Sequence, residues 1–85
     1  MKTIEYTITD ELGIHARPAG LLVKEAAKFE SKIMFASPKK EVDGKRIMGV
    51  MSMGAKKGDL LKVTIEGPDE DAAAQALEAF LKENL

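Results

Sequence analysis

Between Lys2 and Thr9 the even positions Ile4, Tyr6 and Ile8 are apolar, while Thr3, Glu5, Thr7 and Thr9 are polar. A period of two belongs to a strand with one dry and one wet face, because successive side chains of an extended chain point to opposite sides. The alternation returns in Leu61, Val63 and Ile65 against Lys62, Thr64 and Glu66, between the turn signals Gly58-Asp59 and Gly67-Pro68. Strands with a single apolar face need helices on that side only and tolerate water on the other.

The intervening segments supply those helices and further strands. Asp10-Glu11-Leu12-Gly13 reads as a turn, and Pro18 suits the first turn of a helix, so a helix is expected to start near His15 or Ala16. Its apolar stripe is Ala19, Leu22, Val23, Ala26 and Phe29, with Leu21 off the stripe. Lys32 to Ser37, halted by Pro38, and a brief segment around Val42, closed by Asp43-Gly44, predict a hairpin. Arg46 to Met53 allows about two helical turns before Gly54. Asp69 is placed to cap a last helix, whose stripe is Ala73, Ala76, Leu77, Phe80 and Leu81 and whose Glu70 and Asp71 suit the positive end of its dipole. The expected architecture is a two-layer α+β sandwich, one antiparallel or mixed sheet with helices on one face, filling residues 1–85 as a single domain.

Charge and composition narrow the function. Thirteen basic and fourteen acidic residues leave a net charge of −1, so no chain-wide basic field attracts nucleic acid or anionic lipid. Cysteine is absent, which removes disulfides and thiolate metal sites and suits a reducing compartment. No signal-like or membrane-spanning run is evident, and a cytoplasmic location without membrane insertion is the expectation. No metal cluster, phosphate-binding glycine-lysine loop or acid/base pair is visible, and no cofactor is expected.

Chemistry concentrates at the single histidine. His15 lies in Gly13-Ile14-His15-Ala16-Arg17-Pro18-Ala19-Gly20, at the junction of loop and helix. A first helical turn offers unsatisfied backbone N–H groups, here those of Ala16 and Arg17, and partial positive charge; both favour a bound anion. A neutral imidazole at this place can act as a nucleophile toward phosphorus. Arg17 adds planar donors matched to phosphoryl oxygens. Phosphoryl transfer asks for such positioning and charge compensation, since its transition state spreads charge over the oxygens. Spacing alone does not separate this reading from a histidine that merely caps a helix.

The segment Gly13-Ile14-His15-Ala16-Arg17-Pro18-Ala19 resembles the phosphohistidine signature of the HPr family, the phosphocarriers of the phosphoenolpyruvate-dependent sugar phosphotransferase system. Ile47-Met48-Gly49-Val50-Met51-Ser52-Met53-Gly54 resembles that family's second diagnostic stretch, and the likeness extends over essentially the whole chain. The resemblance implies a βαββαβα open-faced sandwich with a four-stranded antiparallel sheet. It implies phosphorylation of His15 on Nδ1 (a pros-phosphohistidine) with Arg17 assisting. Enzyme I would be the donor and IIA domains of sugar permeases the acceptors, with the chain acting as a stoichiometric carrier, not an enzyme.

A docking face is expected beside the histidine. Leu21 lies one turn beyond Arg17, Gly20 leaves room for a close partner, and the short helix carries more large apolar residues than one buried face can absorb. Ile47 and Met48 are expected outward, with Met51 near them; methionine adapts to several partners. Ala16 and Lys24 complete the set, and both Lys24 and Lys45 are equally well read as solvated charges. Arg46 replaces the serine that the family's regulated members phosphorylate, so that control should be missing, and Ser52 is not a substitute. Arginine is also the wrong sign for a helix start, at a cost of about 0.3–1 kcal/mol when exposed.

Two other classes fit parts of the pattern. A pure interaction module would use the Leu21, Ile47 and Met48 face without phosphoryl transfer, but would have no need of His15 and Arg17. A nucleic-acid-binding α+β domain fits the element order and is opposed by the near-neutral charge and few aromatics. Within the phosphocarrier class, a nitrogen-regulatory branch is opposed by the Met-Gly-Val-Met segment. A monomer is the expected state.

Overall fold

A computed structural model describes residues 1–85. Its elements are β1 (Lys2–Thr7), α1 (Ala16–Ala26), β2 (Lys32–Ala36), β3 (Glu41–Asp43), α2 (Ile47–Ser52), β4 (Leu60–Glu66) and α3 (Glu70–Asn84). The four strands form one antiparallel sheet in the order β1-β4-β2-β3. The two strands with the clearest alternation, β1 and β4, pair with each other, and the 32–43 hairpin adds the other half of the sheet.

Register explains why the alternation matters. Ile4 faces Val63, Val63 faces Phe35 and Phe35 faces Val42, so one row of buried apolar side chains crosses all four strands. The neighbouring row is Thr3, Thr64, Met34 and Asp43, and it lies on the open face. The helices cover only the apolar side: α1 brings Ala19, Leu22 and Ala26, α2 brings Val50, and α3 brings Ala73, Leu77 and Leu81. These residues belong to one continuous core of 19 buried side chains. Burying an aliphatic or aromatic side chain of this size is worth about 1.5–3 kcal/mol, and the core is the chief source of stability in a chain without disulfides.

Strand β1 stops at Thr7, not Thr9, because Thr9 and Asp10 turn their N–H groups away from the sheet to the backbone oxygen of Leu85, at 2.5 and 2.9 Å. Ile8 stays buried, held by a loop bond from its N–H to Asp59. Of the stripe expected on α3, Ala73, Leu77 and Leu81 are buried, Phe80 is half-buried against the core, and Ala76 is half-buried at the edge.

Asp69 occupies the N-cap position of α3, but its side chain makes no capping bond to that helix. Its carboxylate accepts the N–H groups of Glu30 and Ser31 at 2.8 and 2.9 Å and the hydroxyl of the buried Ser31. These bonds, the Ser31 hydroxyl foremost, hold the Asp69 carboxyl below the usual carboxylate range. Glu70 accepts the N–H of Gly67 at 3.3 Å, and the junction between the α1–β2 loop and α3 is thereby closed by the chain's own acids.

Candidate functional site

The histidine is delivered by a tightly specified turn. Oδ1 of Asp10 accepts the Leu12 N–H at 2.9 Å, and the Asp10 carbonyl accepts the Gly13 N–H at 3.0 Å. Gly13 has φ of +66°, where a side chain is strained, and a Cβ there would lie 2.3 Å from the carbonyl oxygen of Ala55. Only glycine therefore lets the turn rest on the segment after α2. Next to it, the buried Ile14 donates its N–H to that same Ala55 oxygen at 3.1 Å, anchoring the residue immediately before His15.

His15 is the N-cap residue of α1, with extended backbone (φ −121°, ψ −172°) and a half-buried ring. Its carbonyl accepts the Ala19 N–H at 2.9 Å, but its side chain makes no capping bond. Pro18 has no N–H to offer. The first-turn amides left without an acceptor in the chain are those of Ala16 and Arg17. No acidic residue occupies that turn.

An open depression of about 280 Å3 lies at this helix start, lined by Asp10, His15, Arg17, Pro18, Leu21 and Asn84. His15 and Arg17 thus share one wall. The Arg17 side chain is exposed and takes part in none of the ion pairs of the fold. A half-buried imidazole, two free amides and an unpaired guanidinium form a place where a transient anion can be held.

Asp10 and Asn84 are members of this site that sequence reasoning missed. Asp10 carried a local signal, an aspartate three residues before a glycine, which is the pattern of a side-chain-stabilised turn. Asn84 carried none: it arrives from the far end of α3, its amide nitrogen bonded to the Phe80 carbonyl at 3.0 Å.

Helices α1 and α2 carry exposed apolar side chains, of which Leu21 lines the depression. Leu21 (44%), Ile47 (43%), Met48 (75%) and Met51 (39%) all present substantial area to solvent, while Val50 alone of α2 is fully buried. Ala16 and Lys24 are exposed as well. Gly20 lies where α1 approaches α2: a Cβ there would meet only Ile47 Cδ1, at 3.6 Å, an ordinary van der Waals contact. Lys45 is spoken for, its Nζ donating to the Phe29 carbonyl at 2.6 Å. Arg46, at the start of α2, has the Asp43 carboxylate 3.7 Å from its Nε, a partial offset to its unfavourable position. Leu12, which the sequence did not single out, is 73% exposed at the tip of the turn. No three His, Asp or Glu side chains converge as a metal site.

This fold and site define a class: a small open-faced sandwich that presents one histidine, with an arginine beside it, at an uncapped helix start. The comparisons agree. A family model described as the phosphotransferase-system HPr component phosphorylation site matches residues 2–83. The phosphocarrier protein HPr of Treponema pallidum is 46% identical over 82 residues, which are 96% of this chain and 91% of that one. A Mycoplasma histidine-containing phosphocarrier protein superposes with a TM-score of 0.93 at 39% identity, covering 96% of this chain and 93% of that one. An HPr dimer from Thermoanaerobacter tengcongensis gives a TM-score of 0.76 at 41% identity, covering 98% and 95%. The chain belongs to the HPr family of the phosphotransferase system and is a phosphocarrier, not a turnover catalyst. Its four-stranded antiparallel sheet with three helices is that of the open-faced sandwich expected above. No helix is long and apolar enough to cross a membrane.

Proposed function

We propose that the chain accepts a phosphoryl group on Nδ1 of His15 from enzyme I, which draws it from phosphoenolpyruvate, and passes it to IIA domains of sugar permeases. The N–P bond to His15 forms as the donor's bond to phosphorus breaks, the donor keeping the electron pair; any proton on Nδ1 leaves to solvent. Transfer onward reverses these roles, and the electron pair returns to the ring. Arg17 and the amides of Ala16 and Arg17 neutralise the oxygens of the transferring group. The reading is carried by one observation: a half-buried His15 sharing a depression with an unpaired Arg17, at a helix start whose first two amides have no acceptor in the chain.

Docking is assigned to Ala16, Gly20, Leu21, Lys24, Ile47, Met48 and Met51. The exposed apolar area beside the cations Arg17 and Lys24 suits transient partners with acidic rims. With Arg46 in place of a serine, regulatory serine phosphorylation has no acceptor at that position. The working unit is one cytoplasmic chain, 1–85, a single domain; sedimentation at working concentration checks the monomer. The function is tested by mixing purified protein with phosphoenolpyruvate and enzyme I. Intact mass should rise by one acid-labile phosphoryl group, and His15→Ala should abolish the gain with an unchanged thermal midpoint. Labelling that survives in His15→Ala overturns the assignment.

A further inference from the structure

A carrier has to release what it binds, and every feature of the site so far described holds an anion more tightly. Free amides, a helix start and an unpaired guanidinium all stabilise a phosphoryl group on His15 relative to the bare ring. Asp10 is the exception. An acidic residue, it lines the same depression as His15 and Arg17.

Asp10 is also held in place. Its Oδ1 is bound to the Leu12 N–H at 2.9 Å, its carbonyl to the Gly13 N–H at 3.0 Å, and its own N–H to the Leu85 oxygen at 2.9 Å. No hydrogen bond reaches Oδ2, and no cation lies close enough to pair with the carboxylate. The charge is neither compensated within the chain nor free to swing away from the turn. Glu11, next in sequence, is exposed and does not line the depression.

We propose that Asp10 is a fixed counter-charge that weakens the site's hold on a phosphoryl group at His15 and raises the group's tendency to move on. The inference rests on the phosphocarrier reading and adds to it the residue that balances Arg17. The repulsion acts only while the negative cargo is present, so it lifts the phosphorylated state without burdening the unphosphorylated one. Across a solvent-accessible site, screened charges interact by on the order of 1 kcal/mol, equivalent to about a three- to tenfold change in equilibrium.

The test is an equilibrium competition. Phosphorylated wild-type protein is mixed with an equal amount of unphosphorylated, 15N-labelled Asp10→Asn and a trace of enzyme I, with no phosphoenolpyruvate; intact mass reads which protein carries the phosphoryl group. Asparagine keeps the Oδ1 acceptor for Leu12, so the turn survives, and an unchanged thermal midpoint checks it. Because the distribution is an equilibrium, altered docking to enzyme I cannot move it. The expected result is an enrichment on Asp10→Asn of about three- to tenfold, fading towards evenness at ~1 M salt, where the Debye length is about 3 Å. Glu11→Gln, with the same change in net charge, should share the group nearly evenly with wild type. An even distribution for Asp10→Asn, or an equal enrichment on Glu11→Gln, overturns the role of Asp10 while leaving the carrier reading intact. Failure of wild-type protein to take any phosphoryl group overturns both.

Discussion

The starts of α1 and α3 face the same physical problem and solve it in opposite ways. Each leaves backbone amides unpaired and concentrates partial positive charge. At α3 the chain answers with its own acids: Asp69, Glu70 and Asp71 crowd the first turn, and Asp69 bridges to Glu30 and Ser31. At α1 no acid enters the first turn, the cap residue is a histidine without a capping bond, and the Ala16 and Arg17 amides stay open. One helix start has its positive charge answered by carboxylates of the chain itself. The other is left unfinished, and its completion is assigned to a phosphoryl group.

That contrast can be broken from the largest effect downward. His15→Ala should remove phosphoryl acceptance altogether with no loss of fold, as described above. Arg17→Ala removes the charged hydrogen-bond donor to the oxygens, and bonds of that kind are worth about 1.5–3 kcal/mol. Acceptance from enzyme I in rapid-quench measurements should slow by about ten- to a hundredfold, and Arg17→Lys should recover only part of it, since a point charge lacks the planar fork. Unchanged rates in Arg17→Ala would mean that the guanidinium does not act on the cargo.

Making α1 resemble α3 gives an intermediate effect of opposite sign on two readouts. Ala16→Asp places a carboxylate in the open first turn and should stabilise the helix by about 0.3–1 kcal/mol in chemical denaturation. Phosphoryl acceptance should fall in the same variant, because the added charge occupies the place meant for the anion. A gain in stability with full acceptance would show that the open turn is not the phosphoryl-binding feature.

The smallest effect concerns α3 itself. The Asp69 carboxyl is held below its ordinary range, so the folded state binds its proton less readily than the unfolded state. The resulting stability is complete above the ordinary carboxylate range and is lost as pH falls through the lowered folded value. Ser31→Ala removes the foremost cause of that lowering. The variant should melt lower than wild type at neutral pH, and the gap should narrow on acidification. Phosphoryl acceptance should be unaffected, which separates this helix start from the other.

Much of the fold was legible because it rests on local periodicity. The alternations of β1 and β4, the stripe of α3 and the Gly13–Gly20 motif each lie within one short window. What stayed hidden depends on contacts between distant segments. The Asp69 side chain resembles a helix cap until Ser31 is seen beside it. Asn84 enters the site only because α3 ends there, a placement no spacing encodes. Gly13 is intermediate: a glycine in a turn is easily anticipated, but the Ala55 carbonyl that makes it necessary belongs to a segment some forty residues on.

The central claim is that the phosphoryl group on His15 completes the start of α1. Amide 1H–15N spectra of the unphosphorylated and phosphorylated protein test it most directly. On phosphorylation the Ala16 and Arg17 amide protons should move strongly downfield as they begin to donate to phosphoryl oxygens, while Glu70 and Asp71 at the start of α3 stay where they were. Phosphorylation that leaves Ala16 and Arg17 in place, or shifts both helix starts alike, would contradict the account.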